Sequence, residues 1–128
     1  MPESEAAMII HKELSYQVVG CAQKVHSALG PGLPEAVYKK ALCHELAKAS
    51  IPFEEEAEFQ VLYDGYLCGK FRVDILVDKK IVLELKAADA ICDQYEKQAL
   101  TYLKASGLQL AILMNFGEER LNSKRFAH

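Results

Sequence analysis

The hydrophobic pattern along the chain changes period several times, and the changes delimit its elements. From about Ile9 to Leu29, the residues Leu14, Val18, Cys21, Ala22, Val25 and Leu29 recur every three or four positions, the stripe of an amphipathic helix. Gly30-Pro31-Gly32 stops it. Pro34 suits a first helical turn, so a second helix is predicted from there to about Ser50. Its apolar positions are Ala36, Val37, Ala41, Leu42, Leu46 and Ala49. Period two then takes over. Glu54 to Tyr63 alternates towards its end, Asp64-Gly65 is a hairpin signal, and Tyr66 to Val77 follows, with Gly69 marking a bulge or break. Ile81 to Lys86 is a third strand after a tight turn at Asp78-Lys79-Lys80. Asp93 to Ser106 returns to helical spacing between an N-cap at Asp93 and a stop at Gly107. Leu108 to Phe116 is a continuous apolar run that suits a central strand, and Leu121 to Phe126 a short final one. The predicted order is α-α-β-β-β-α-β-β, an α/β fold with a mixed central β-sheet flanked by α-helices. Residues 1–128 form one domain in this reading, with 1–7 frayed.

The segment Phe71 to Lys86 organises the rest. A hairpin centred near Lys79 sets Asp74 opposite Glu84, Arg72 opposite Lys86 and Leu76 opposite Val82. Regular alternation then gives the other face Val73, Ile75, Val77, Ile81, Leu83 and Leu85, all apolar. Two carboxylates, a lysine and an arginine converge on one half-apolar face. Such a cluster requires a counter-ion: either a metal, or a salt-bridge set pairing Asp74 with Arg72 and Glu84 with Lys86.

Composition narrows the classes. Hydrophobic residues make up 51% of the 128 and charged ones 26%, as in folded soluble proteins. No apolar run approaches a membrane span and Met1 to Ile10 lacks a signal-peptide pattern, so a cytoplasmic protein is expected. The net charge of −3 counts against a protein that coats nucleic acid through a global basic field, though not against an enzyme that meets a phosphate through a metal and a few lysines. Only scattered bases (Lys39, Lys40, Lys97, Lys104, Lys124, Arg125) are left to line a groove. Cys21, Cys43, Cys68 and Cys92 are widely spaced, which gives zinc or redox chemistry no local support. His26, in the last turns of its helix, reads as structural. The acidic run Glu54-Glu55-Glu56 reads as a solvated edge, and Glu35 taken alone as a carboxylate favoured by a helix N-terminus.

Asp74 followed by Glu84-Leu85-Lys86 resembles the D…(D/E)xK signature of the PD-(D/E)xK nuclease superfamily, whose common core has a similar element order. Gly32-Leu33-Pro34-Glu35-Ala36-Val37-Tyr38 matches the motif of the GxxExxY family within it. Val25-His26, Leu29-Gly30-Pro31-Gly32 and Asn115-Phe116-Gly117 also look like that family. The resemblance runs from about Leu14 to Arg125 and implies a restriction-endonuclease-like core. It implies that Asp74 and Glu84 are carboxylate ligands of a divalent ion, with the main-chain carbonyl of Leu85 as a further ligand. Lys86 would position or activate the attacking water. Glu35 would be the accessory acid, reaching the metal directly or through water, and Gln98 the glutamine that several branches place on the following helix. Val73 stands where the motif's proline would be. Hard oxygen donors suit Mg2+, with Mn2+ as a substitute, rather than zinc.

Two functions follow from that resemblance. One is a Mg2+-dependent phosphodiesterase acting on DNA or RNA, and the other a catalytically inactive nuclease-fold protein serving as a nucleic-acid-binding or protein-interaction module. A homodimer pairing two faces would offset the small size and the negative charge. A Cys/His hydrolase is disfavoured, because Cys43 and His44 are adjacent on a helix and their side chains point about 100° apart.

Overall fold

The computed structural model describes residues 4–128. Among these, α1 (Glu5–Ile9), α2 (Lys12–Leu29) and α3 (Glu35–Lys48) precede β1 (Phe53–Tyr63), β2 (Tyr66–Val77) and β3 (Ile81–Lys86). α4 (Asp93–Ser106), β4 (Leu110–Asn115) and β5 (Asn122–Ala127) complete the order. The five strands form one sheet in sequence order. β3 and β4 run parallel and the other neighbours antiparallel. A parallel pair needs a crossover, and α4 supplies it. Helices α1 to α3 cover one face, on Ile75, Val77, Leu83, Leu85, Ile112 and Met114. α4 covers the other, on Val73, Leu76, Val82 and Leu113. Every residue of β4 is buried, as its unbroken apolar run requires. No described helix is long and apolar enough to cross a membrane.

Several expectations need correction. The segment 1–7 expected to fray lies partly outside the described residues (1–3), and its remainder enters a helix. Ser4 accepts a hydrogen bond from the Ala7 N–H at 3.1 Å and starts α1, whose Ala7 is buried. The expected first helix is α2, starting at Lys12, and α1 is an additional short helix before it, set off where Ile10 is extended and His11 left-handed. In α3 the buried side is Tyr38, Leu42, Cys43 and Leu46, while Ala36, Val37 and Ala49 face solvent. Tyr38 wins the inward position because its hydroxyl has partners there, as described below. Cys92 rather than Asp93 stands at the N-cap position of α4, without a side-chain capping hydrogen bond. Next to Gly69, Leu62 pairs with Leu67 and Val61 with Gly69, so the expected bulge leaves Cys68 unpaired in the ladder.

Alternation fails at Asp74. Ile75 and Val77 face α1 to α3, but Val73 packs with Leu76 on the α4 side. β1 breaks phase at the same level: Phe53 faces one layer, Ala57 and Phe59 the other. Between them Glu56 adopts φ 50°, a left-handed conformation uncommon for a residue with a side chain. The ladder passes from Glu55↔Ile75 to Ala57↔Val73, skipping Glu56 and Asp74.

The end of β3 is clamped by a side chain from β4. Buried Asn115 accepts from the Ala88 N–H (2.9 Å) and the Gly117 N–H (3.2 Å), and donates to the Ala88 carbonyl (3.0 Å). The Phe116 N–H donates to the Lys86 carbonyl at 2.8 Å. Gly117 passes so close that an added Cβ would sit 2.2 Å from the Ala88 oxygen. Gly117→Ala is therefore expected to destabilise the protein by about 3 kcal/mol, since backbone must move. Gly20→Ala, within α2 and with nothing within 4 Å, should stabilise it by about 0.5–1 kcal/mol. Urea unfolding of the two variants checks both signs.

Candidate metal centre and active site

β2 and β3 pair only near their turn, at Ile75↔Leu83, Leu76↔Val82 and Val77↔Ile81. Beyond that they part: β2 stays with β1 and β3 with β4. Asp74 and Glu84 stand in the fork, and their side chains replace the missing ladder bonds. The Leu85 N–H donates to Asp74 Oδ2 at 2.7 Å, and the Asp74 N–H donates to Glu84 Oε2 at 3.2 Å. N–H and C=O of one residue point to the same side of a strand. The Lys86 carbonyl faces β4, where it accepts from Phe116. The Leu85 carbonyl thus faces the fork, while its side chain is buried in the core.

The electrostatics follow from this crossing. Glu84 is buried and touches a second carboxyl with no cation between them. Lost hydration first, and the Asp74 charge second, raise its pKa from the ordinary 4.5 to about 9. Glu35, in the first turn of α3, also has a raised pKa. Lost hydration is the main cause, followed by Asp74, with Lys86 and Lys39 partly offsetting both.

Glu35, Lys39, Glu56, Asp74 and Leu85 line a cleft of about 380 Å³ on the α3 side of the fork. The loop before α3 aims Glu35 into it. Tyr38 donates to the Gly30 carbonyl at 2.6 Å, accepts from the Leu33 N–H at 3.0 Å and stacks on Phe116 with centroids 4.9 Å apart. Gly32 takes φ 107°, open to glycine and strained for other residues. In the Gly32…Glu35…Tyr38 segment, then, glycine and tyrosine shape the loop that presents the acid.

Lys86 lies on the other side of the fork, against α4. Its Nζ donates to Gln98 Oε1 at 3.3 Å and sits 4.8 Å from the centre of the Tyr95 ring. Gln98 Nε2 donates to the Tyr102 hydroxyl at 3.4 Å. Tyr102 stacks on Phe71, and Phe71 on Phe59, at 4.6 and 5.4 Å. Sequence reasoning overlooked Tyr95, Tyr102 and Glu56 as neighbours of the site. The four-residue stripe Gln94, Gln98, Tyr102 held part of that signal.

The structure brings Asp74, Glu84 and the Leu85 main chain together, with Lys86 and Gln98 on one side and Glu35 on the other. It does not bring Arg72 in. That side chain is exposed and reaches Glu58 on β1 at 3.6 Å. Neither half of the expected Asp74–Arg72 and Glu84–Lys86 salt-bridge set forms among the described residues: Arg72 turns to Glu58 on β1 and Lys86 to Gln98 and Tyr95 on α4. Glu35 does not close a three-carboxylate cluster either. Among the described residues no group of three His, Cys, Asp or Glu side chains could hold an ion unaided. Several scattered bases are also engaged: Lys39 with Glu56 at 2.6 Å, Lys40 with Glu55 at 3.5 Å and Lys124 with buried Glu96 at 3.2 Å. The Arg125 Nε donates to Ser15 at 2.9 Å. The acidic run on β1 is thus partly a partner of α3 rather than a bare solvated edge. His26 Nε2 hydrogen-bonds the Glu118 carbonyl at 2.8 Å, a structural tie.

A mixed sheet whose strands fork around two carboxylates, followed by a lysine and flanked by helices, defines a restriction-endonuclease-like α/β fold. The family model described as the PD-(D/E)XK nuclease superfamily matches residues 12–126, and the chain belongs to that superfamily. No curated protein matches it. Among solved structures it is similar to the crystal structure of SSO0001, with a TM-score of 0.52 and 19% identity over 73% of this chain. The chain spans 49% of that protein's length, and the likeness is one of fold.

The Glu84 shift has a consequence for stability. A raised folded-state value means that the fold holds a proton which the unfolded chain has released. This contribution is complete below about pH 4.5 and is lost as pH rises through the folded value near 9. Without divalent ions, thermal stability should therefore fall from pH 5 to pH 9. Glu84→Gln, permanently neutral, should be the more stable protein at pH 8 and show a flatter profile. Melting curves across that range check the sign.

Proposed function

We propose that this protein is a Mg2+-dependent nuclease that hydrolyses phosphodiester bonds in DNA or RNA. The observation that carries the reading is the Asp74–Glu84 pair: two carboxyls fixed by backbone amides, in contact and lacking a cation. Donor chemistry supports a hard divalent ion there. The two carboxylates and the Leu85 carbonyl would hold Mg2+, or Mn2+ in its place, with Glu35 joining through water. When bound, that ion would polarise the scissile phosphate and stabilise its developing charge. Lys86 would orient the attacking water and offset phosphate charge, and Gln98 would hold Lys86 in place. The finer GxxExxY membership belongs to the same proposal and rests on Gly32, Glu35 and Tyr38.

A second reading, a protein of this fold that binds without cutting, draws on the far end of the β1–β2 hairpin. Leu62, Tyr63, Tyr66 and Leu67 are exposed together there, as contact residues are.

In the nuclease reading, Asp74→Ala, Glu84→Ala and Lys86→Ala each reduce Mg2+-dependent cleavage of DNA or RNA by about a thousandfold or more, while circular dichroism shows a retained fold. Wild-type cleavage in the Asp74→Ala protein would sink the assignment. Absence of cleavage by wild type, combined with retained nucleic-acid binding, would favour the second reading.

A further inference from the structure

We infer that Tyr95 is a positioning residue for Lys86: its ring holds the ammonium on the α4 side of the fork and keeps it from closing an ion pair with Asp74 and Glu84. The inference rests on the nuclease reading of this site. Lys86 follows Glu84 by two residues on β3, so both side chains leave the strand on one face. Its charge reaches both Glu84 and Glu35. An ammonium on a flexible four-carbon stem beside two uncompensated carboxyls would ordinarily swing onto them. Here it does not. Its contacts are the Tyr95 ring at 4.8 Å and the Gln98 amide oxygen at 3.3 Å, both from α4.

The hydrogen bond to Gln98 is a single contact and long at 3.3 Å, so it does not fix the lysine alone. The ring adds the electrostatic attraction of its π face. Tyr95 is itself fixed: it lies in the first turn of α4, its N–H donates to the Cys92 carbonyl at 3.1 Å, and its side chain packs against the α4-side core. Two consequences follow. The carboxyl pair stays open to a cation, and the ammonium stays free for the substrate.

The experiment compares Tyr95→Phe, which keeps the ring, with Tyr95→Leu, which removes it. The first readout is the Hε resonance of Lys86 in 13C-lysine-labelled protein, assigned by its loss in Lys86→Arg. Ring proximity moves this resonance upfield in wild type and Tyr95→Phe, and the shift is expected to vanish in Tyr95→Leu. The second is steady-state cleavage with Mg2+. Tyr95→Phe should match wild type, whereas Tyr95→Leu should lose about tenfold to a hundredfold in kcat with KM within about twofold, the pattern of a misplaced group. An unshifted Lys86 resonance in wild type, or undiminished kcat in Tyr95→Leu, would overturn the inference. Should Tyr95→Leu not fold, the wild-type and Tyr95→Phe resonances decide it alone. A wild type that never cleaves removes the nuclease reading, and the resonance still decides whether the ring holds the lysine.

Discussion

Two carboxyl groups that repel each other are held in contact by the backbone at the point where β2 and β3 part. Asp74 takes the Leu85 amide, and Glu84 takes the Asp74 amide. Neither side chain can turn away without leaving a partly buried N–H unpaired, which costs about as much as the hydrogen bond itself. The repulsion is therefore not relieved by movement. It is relieved by a proton, which Glu84 retains far above its ordinary range, or by a cation. This frustrated pair gives the fork its chemistry and sets the charge that every neighbouring group must answer.

The surrounding structure serves to keep that geometry. Asn115 and Phe116 fasten the end of β3, so Lys86 leaves the strand at a fixed place. Tyr38 fastens the loop before α3, so Glu35 looks into the cleft. On β1, Glu56 holds a left-handed backbone beside Asp74. Strain of that kind persists only where neighbours overdetermine it, and here the Lys39 ion pair and the flanking ladder do so. The phase break it marks releases Asp74 from the regular pleat, allowing its carboxyl to meet Glu84 while lining the α3-side cleft.

Much of this was legible in the residues. The hairpin centre near Lys79 was right, and with it Leu76 opposite Val82. The apolar run of β4 announced a buried strand, and the joint match of Gly32…Glu35…Tyr38, Asp74…Glu84-Leu85-Lys86 and the element order announced the superfamily. Simple periodicity went astray where backbone departs from the ideal. Strict alternation put Val73 beside Ile75 and drew Arg72 into the cluster, because nothing in the letters at Glu56 signals a left-handed residue. The stripe from Leu14 to Leu29 marked α2 and carried no sign of the short helix α1 before it. The contact of Lys86 with Tyr95 was not foreseen, since a meeting between the end of β3 and the first turn of α4 depends on how a crossover helix docks and leaves no periodic trace.

The central claim is that Glu84 carries a proton which a divalent cation displaces. The direct measurement is calorimetric titration of Mn2+ into the protein at pH 7, in buffers of different ionisation enthalpy. The dependence of the heat on the buffer gives the number of protons released. The account predicts release of about one proton per bound ion in wild type and none in Glu84→Gln. Binding of Mn2+ with no proton released, or the same release in Glu84→Gln, would contradict it.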